Sequence, residues 1–181
     1  NFLEEGAYSF LGGMSTAGSL TTWFRDQFGA WEVEQEKAGG PDAYAQFAEL
    51  ASHSPAGARG LIALPYFAGE RTPLHDPKAV GVLFGLRLEH TKGDIYRALL
   101  EGVAYGIRHN LEVMEQEQVR PARILAVGGG TKNRLWMGIV SDACGVQLHI
   151  PAQQIGASYG DAFLAGRGIG LFQSLADIRQ W

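Results

Sequence analysis

Apolar residues recur at helical spacing at Leu20, Trp23, Phe24 and Phe28, which predicts an amphipathic helix. Ser15 or Thr16 is placed to cap it, and Gly29 to end it. Before it, residues 7–11 read as a short strand broken by Gly12 and Gly13. Residues 32–40 are charged, then glycine-rich, and read as a loop. Pro41 can open a second helix running to Ala51, with Tyr44, Phe47, Ala48 and Ala51 on one face. Residues 54–57 form a turn, and residues 61–67 and 80–86 read as strands around an irregular loop. The longest helix is predicted over about residues 93–118. Its stripe is Ile95, Ala98, Leu99, Gly102, Ala104, Tyr105, Ile107, Leu111 and Met114.

After Pro121 the pattern alternates. Residues 123–127 and 146–150 read as strands, residues 133–144 and 157–166 as helices. A final helix is expected to start at Leu175. Strands alternating with helices predict an α/β domain whose sheet is at least partly parallel. No internal repeat or low-complexity linker divides the chain, so residues 1–181 read as one domain.

Composition narrows the class. With 181 residues and 46% hydrophobic content there is enough apolar material for a core, so wholesale disorder is excluded. Cys144 is the only cysteine, which excludes a disulfide scaffold and fits a cytoplasmic setting. A net charge of −4 offers no basic footprint for nucleic acid. The uncharged run at residues 6–24 is crowded with Gly, Ser and Thr, so it does not read as a membrane span. Neither a signal peptide nor an initiator Met is visible at Asn1, which suggests a piece of a longer protein.

The 25 glycines point to tight turns and close backbone approaches. One cluster suggests chemistry. Residues 124–127 read as a buried strand, followed by Gly128, Gly129 and Gly130 and then a helix. Such a turn lets a ligand approach the backbone, and helix N-terminal amides favour anions. A plain strand-to-helix turn has the same appearance. A Walker-type loop is excluded, because Lys132 is preceded by Thr131 and followed by Asn133. A dinucleotide fingerprint is excluded too, because Asn133 stands where its third glycine belongs.

Three segments together resemble the C-terminal domain of the FGGY family of carbohydrate kinases, and the xylulokinase-like branch most. The first runs Gly12-Gly13-Met14-Ser15-Thr16-Ala17-Gly18-Ser19-Leu20 to Trp23-Phe24-Arg25-Asp26. The second is Gly69-Glu70-Arg71-Thr72-Pro73-Leu74-His75-Asp76-Pro77, followed by residues 81–86 and 94–102. The third joins Gly128-Gly129-Gly130 to Asn133-Arg134-Leu135-Trp136, Asp142, Gly145 and Gly156-Ala157.

The resemblance implies an actin-like, ribonuclease-H-like α/β fold, a mixed sheet flanked by helices that lacks its first strands and exposes a sheet edge at residues 7–11. It implies one half of a two-domain kinase that transfers the γ-phosphate of ATP, with Mg2+, to a sugar or polyol such as xylulose. The sugar would be held mainly by an N-terminal domain outside this chain, and the catalytic aspartate would lie upstream, so this piece alone should be inactive. Gly129 and Asn133 match positions at the adenine end of the nucleotide, and Gly18 and Thr22 match positions contacting it from the first segment. Gly128 and Gly130 would shape the same turn. Thr22 departs from the glutamine of the glycerol kinase pattern, and Val80 stands where the family commonly has arginine. A homodimer is compatible with the resemblance; nucleic-acid and membrane partners are not expected. The alternative reading is a non-catalytic, nucleotide-responsive module of the same fold, and a third is a structural domain whose glycine turn holds nothing.

Other candidates carry bland readings. Glu70, Arg71 and Asp76 read as a turn held by local ion pairs. Arg97 and Glu101 read as a surface pair. His90 and Asp94 are too few for a metal. Cys144 reads as an inert, buried thiol, and Tyr105 and the tryptophans as core.

Overall fold

The computed structural model describes Gly6, residues 8–153 and residues 155–179. Helices α1 (Gly18–Phe28), α2 (Ala30–Lys37) and α3 (Ala43–Ser52) come first. A short antiparallel pair follows, β1 (Ile62–Leu64) and β2 (Val82–Phe84), in the register Ile62 to Phe84 and Leu64 to Val82. The long helix α4 (Lys92–Gln116) leads to β3 (Ile124–Leu125), α5 (Arg134–Cys144), β4 (Leu148–His149) and α6 (Ala157–Gly168). β3 and β4 pair in parallel, with α5 as their crossover, so the alternation after Pro121 has the expected consequence.

α4 is the spine. Thr91 caps it reciprocally with Asp94: the Thr91 hydroxyl accepts from the Asp94 N–H, and Asp94 accepts from the Thr91 N–H. Around it pack Leu20 and Phe24 of α1, Phe47 and Ala51 of α3, Ala63 of β1, and Trp136, Ile139 and Val140 of α5. The rings of Phe24, Phe47 and Tyr96 meet with centroids 4.9–5.4 Å apart and anchor this core. Gly102 lets β1 lie directly against α4, since a Cβ there would sit 2.5 Å from the Ala63 carbonyl oxygen.

Several sequence expectations are corrected. Residues 32–40 are mostly helix. The Glu32 carboxylate is buried and accepts from the Lys92 ammonium at 2.8 Å, and Glu36 accepts from the Ala43 N–H, so tertiary ion pairing sustains a helix with no apolar period. Ala17, not Ser15 or Thr16, precedes α1 at the N-cap, and it makes no side-chain cap; the Thr16 hydroxyl instead donates to the Pro65 carbonyl. α3 opens at Ala43 and not at Pro41, with Asp42 as its cap accepting from the Ala45 N–H at 3.0 Å. Residues 8–11 form no strand, because no second strand pairs with them among the described residues, and Tyr8, Phe10 and Leu11 are exposed. Ala7 lies outside the described residues. The C-terminal element is a short 3-10 helix, Leu175–Arg179; Gln180 and Trp181 also lie outside the described residues.

Arg97 and Glu101 are not a surface pair. Both side chains are largely buried, 2.6 Å apart, and Glu101 also accepts from the Gly57 N–H while Arg97 donates to the Ser54 carbonyl. They tie the turn at residues 54–57 to α4. Tyr105 is not core. It is 52% exposed, and Trp31 is exposed too, whereas Trp136 is buried and Trp23 packs against Phe67.

Candidate functional site

The third segment enters its turn from the C-terminal end of β3, where ligands of open α/β sheets bind. Gly128 has φ +91°, a left-handed conformation that a side chain disfavours. A 3-10 turn, Gly129–Lys132, follows and separates the strand from α5. The Thr131 hydroxyl donates back to the Gly128 carbonyl at 2.7 Å, fixing the turn. Asn133 caps α5: its side-chain oxygen accepts from the Trp136 N–H at 3.0 Å. A Cβ added at Gly128 or Gly129 would meet nothing within 4 Å, so space is open above both; at Gly130 it would press on the Trp136 ring at 3.2 Å. Gly128 and Gly129 therefore border open space, and Gly130 serves packing.

The first segment leads into α1, which packs against α3 and α4. Gly18 opens that helix and also faces open space. The Thr22 hydroxyl donates to the Gly18 carbonyl at 3.3 Å and lies 3.2 Å from the Tyr44 hydroxyl of α3. Tyr44 is half-buried, with the Arg25 guanidinium 5.4 Å from its ring centroid. Burial pushes the Tyr96 phenol far up, and nearby Tyr44 and Asp42 push the same way; a hydrogen bond with the Asn133 side chain pulls it partly back. Thr22 of α1 thus meets Tyr44 of α3, and Tyr96 of α4 meets Asn133 at the start of α5, while the rings of Phe24, Phe47 and Tyr96 pack α1, α3 and α4 together. The polar contacts of Tyr44 and Tyr96 were not legible in the sequence. Tyr44 fits the apolar face of α3, and Tyr96 has no distinguishing spacing; the only hint is that a buried tyrosine hydroxyl needs a partner.

The second segment supports the first. Glu70 is buried and accepts from the backbone N–H groups of Ser15 and Arg71, each at 2.8 Å. Thr72 accepts from the Gly13 N–H at 2.6 Å and donates to Asn110 of α4 at 2.7 Å. Arg71 donates to the Met14 carbonyl. This loop is held by hydrogen bonds to the chain leading into α1 and not by the ion pairs expected from Glu70, Arg71 and Asp76; Asp76 accepts from the Lys78 N–H. Val80 is 68% exposed, so it fills no gap left by an arginine.

A cleft of about 670 Å³ lies elsewhere, between the C-terminal halves of α4 and α5 and the starts of β3 and β4. None of Gly18, Thr22, Gly128, Gly129, Gly130 or Asn133 lines it, and it sits at the opposite ends of the strands from the glycine turn. Its Arg108 and Arg120 are paired with Glu112 and Glu115. Cys144 borders it; burial pushes its thiol up, away from the reactive thiolate. His90 accepts from the Arg87 N–H and Asp94 caps α4, and among the described residues no three His, Cys, Asp or Glu side chains gather as a metal site would need.

Comparison with known proteins decides the family. The profile of the FGGY family of carbohydrate kinases, C-terminal domain, matches residues 1–169. This chain belongs to the FGGY family. Among its relatives, xylulose kinase of Staphylococcus epidermidis is 33% identical over 168 residues, covering 93% of this chain and 32% of that protein. Gluconokinase of Bacillus licheniformis is also 33% identical, covering 94% of this chain and 32% of that protein. The crystal structure of xylulose kinase from Rhodospirillum rubrum superposes with a TM-score of 0.74 at 38% identity, covering 91% of this chain and 32% of the other. The fold is therefore that of the FGGY sugar kinases, the actin-like ATPase fold. The chain spans about a third of the length of the relatives it matches (32%). No described helix is long and apolar enough to cross a membrane.

Proposed function

We propose that this chain forms the nucleotide-binding part of an ATP-dependent carbohydrate kinase, with a pentulose such as xylulose as the phosphate acceptor. One observation carries the reading. A Cβ at Gly18, Gly128 or Gly129 would meet nothing within 4 Å among the described residues, and Thr22 of α1 and the Asn133 cap of α5 follow those glycines, so backbone is left open to a ligand beside polar side chains. A flat purine lying against such glycines needs the approach that a Cβ would block.

Phosphoryl transfer also requires a metal on the phosphates and a base for the attacking hydroxyl. The described residues gather no carboxylate set for Mg2+, which in this reading is held by the phosphates and by residues beyond this chain. The base, an aspartate, and most sugar contacts belong beyond it as well, as does any homodimer contact. Residues 1–181 then serve as one domain of a larger kinase working in the cytoplasm. Xylulose is favoured because a xylulose kinase is the relative with the highest structural identity named above, at 38%.

The test is ATP consumption by the intact protein, with xylulose, gluconate and glycerol offered separately. Consumption that requires xylulose supports the reading. Consumption with gluconate or glycerol alone reassigns the acceptor. ADP binding without any sugar-dependent turnover favours the non-catalytic nucleotide-responsive module instead, and absence of ADP binding refutes a nucleotide site here.

A further inference from the structure

Resting on the nucleotide site just proposed, we infer that Glu70 and Thr72 are positioning residues for the nucleotide: they hold the chain that carries Gly18 in place without touching the ligand themselves. α1 lacks the local devices that would fix its start. Its N-cap is Ala17, no side chain caps it, and its first turn holds no acid. Gly12 and Gly13 stand upstream, where the backbone has the widest freedom. Local sequence therefore leaves the place of Gly18 open.

A distant loop closes it. Among the described residues, every hydrogen bond made by residues 13–16 runs to residues 65–72. The Thr72 N–H donates to the Gly13 carbonyl at 3.2 Å, and the Thr72 hydroxyl accepts from the Gly13 N–H at 2.6 Å. Asn110 of α4 orients that hydroxyl. Its Nδ2 donates to the Thr72 and Gly106 carbonyls at 3.1 and 2.9 Å, which leaves its Oδ1 to accept the Thr72 proton at 2.7 Å. Arg71 donates to the Met14 carbonyl at 3.1 Å, and Thr16 donates to the Pro65 carbonyl.

Glu70 is the member that packing alone does not explain. It is 4% exposed, yet no cation pairs with it among the described residues. A buried carboxylate without a cation costs free energy. What it secures is a register between two backbone segments, since its Oε1 accepts from both the Ser15 and the Arg71 N–H, each at 2.8 Å. An apolar side chain in its place would fill the space and leave both donors without an acceptor. Thr72 and Glu70 thus pin the backbone at Gly13 and Ser15, just ahead of the glycine that opens α1.

The intact protein with Mg2+ is titrated with ADP by calorimetry, well below the melting temperature of each variant. Thr72→Val and Glu70→Ala should each weaken ADP about fivefold, the scale of one hydrogen bond, and raise KM for ATP while leaving KM for the sugar unchanged. Thr72→Ser and Glu70→Gln keep the accepting oxygens and should bind ADP as the wild type does. Asp94→Asn is the control for stability alone: it should lower the melting temperature and leave ADP affinity unchanged. Coupling is reciprocal, so ADP must also strengthen the staple. Saturating ADP should slow hydrogen exchange at the Gly13 and Ser15 amides of the wild type, beyond any slowing at the amides of α6. Unchanged ADP affinity in folded Thr72→Val and Glu70→Ala, or an equal loss in Asp94→Asn, overturns the inference and leaves the nucleotide site standing. So does unchanged exchange at Gly13 and Ser15, whether or not the variants fold. A wild type that binds no ADP overturns the proposed function and this inference with it.

Discussion

Gly129 is the residue at which space and chemistry separate most cleanly. Nothing among the described residues lies within 4 Å of a Cβ there, so Gly129→Val in the intact protein should keep its melting temperature within about 3 °C, the effect of less than about 1 kcal/mol. ADP affinity in the same preparation should fall at least about tenfold, a loss of about 1.4 kcal/mol. Unchanged binding would mean that the open space is not the nucleotide's. Asp94 makes the opposite kind of prediction. Burial pushes its carboxyl up, but hydrogen bonds from Ser54 and Thr91 and the Arg59 charge outweigh burial and bring it down to about 2. A carboxyl lowered in the folded state adds stability that is complete above its unfolded value near 4 and drains away as pH falls toward 2. Urea midpoints measured from pH 5 to pH 2 should decline through that window, and Asp94→Asn should flatten the decline while costing about 1–3 kcal/mol at neutral pH. Neither effect is legible in the sequence, where Asp94 is one more acid near a helix start. Its partners, the buried Ser54 and the exposed Arg59, come from a turn far back in the chain.

At the level of elements, α4 decides most of the architecture, and its glycines show how. Gly102 admits the β1 backbone, so Gly102→Ala should force a shift costing about 1–3 kcal/mol, read as a lower melting temperature by calorimetry. Gly138, in the middle of α5, meets nothing within 4 Å. Gly138→Ala should raise the melting temperature, because alanine loses less backbone entropy in a helix by about 0.5–1 kcal/mol. Two identical substitutions with opposite signs would show that close packing, not helix propensity, keeps glycine at residue 102. The helices were readable where an apolar period or a cap marked them, as for α3, α4 and α5. α2 was not, because its stability comes from Glu32 reaching Lys92 of another helix, and no local pattern records that. The strands shrank for a related reason. A strand exists only as far as a partner pairs with it, so β3 and β4 end where their ladder ends.

At the scale of the whole molecule, one apolar sheet face stays uncovered among the described residues. Ile62, Leu64, Val82 and Phe84 line up on the outer face of the β1–β2 pair and are exposed. A chain covering about a third of its relatives' length (32%), with the proposed catalytic base elsewhere, should bind nucleotide without completing the reaction. The 181-residue chain alone is therefore expected to release no xylulose phosphate from ATP and xylulose, whereas the proposed function requires the intact protein to release it. Product formation by the isolated chain, followed by chromatography, would sink the assignment of the base to another part of the protein.

Local order is what this sequence determined by itself. Apolar period, Thr91 beside Asp94, and glycine after the strand at residues 124–127 each act within a few residues, and they specify helices, caps and turns directly. The three motifs likewise marked the family, because their order along the chain is written in one dimension. The tertiary structure alone decided which distant polar groups would meet. Thr22 meets Tyr44, and Tyr96 meets Asn133, only when α1, α3 and α5 pack around α4, and a hydrogen bond between distant residues has no signature until the core has set their distance.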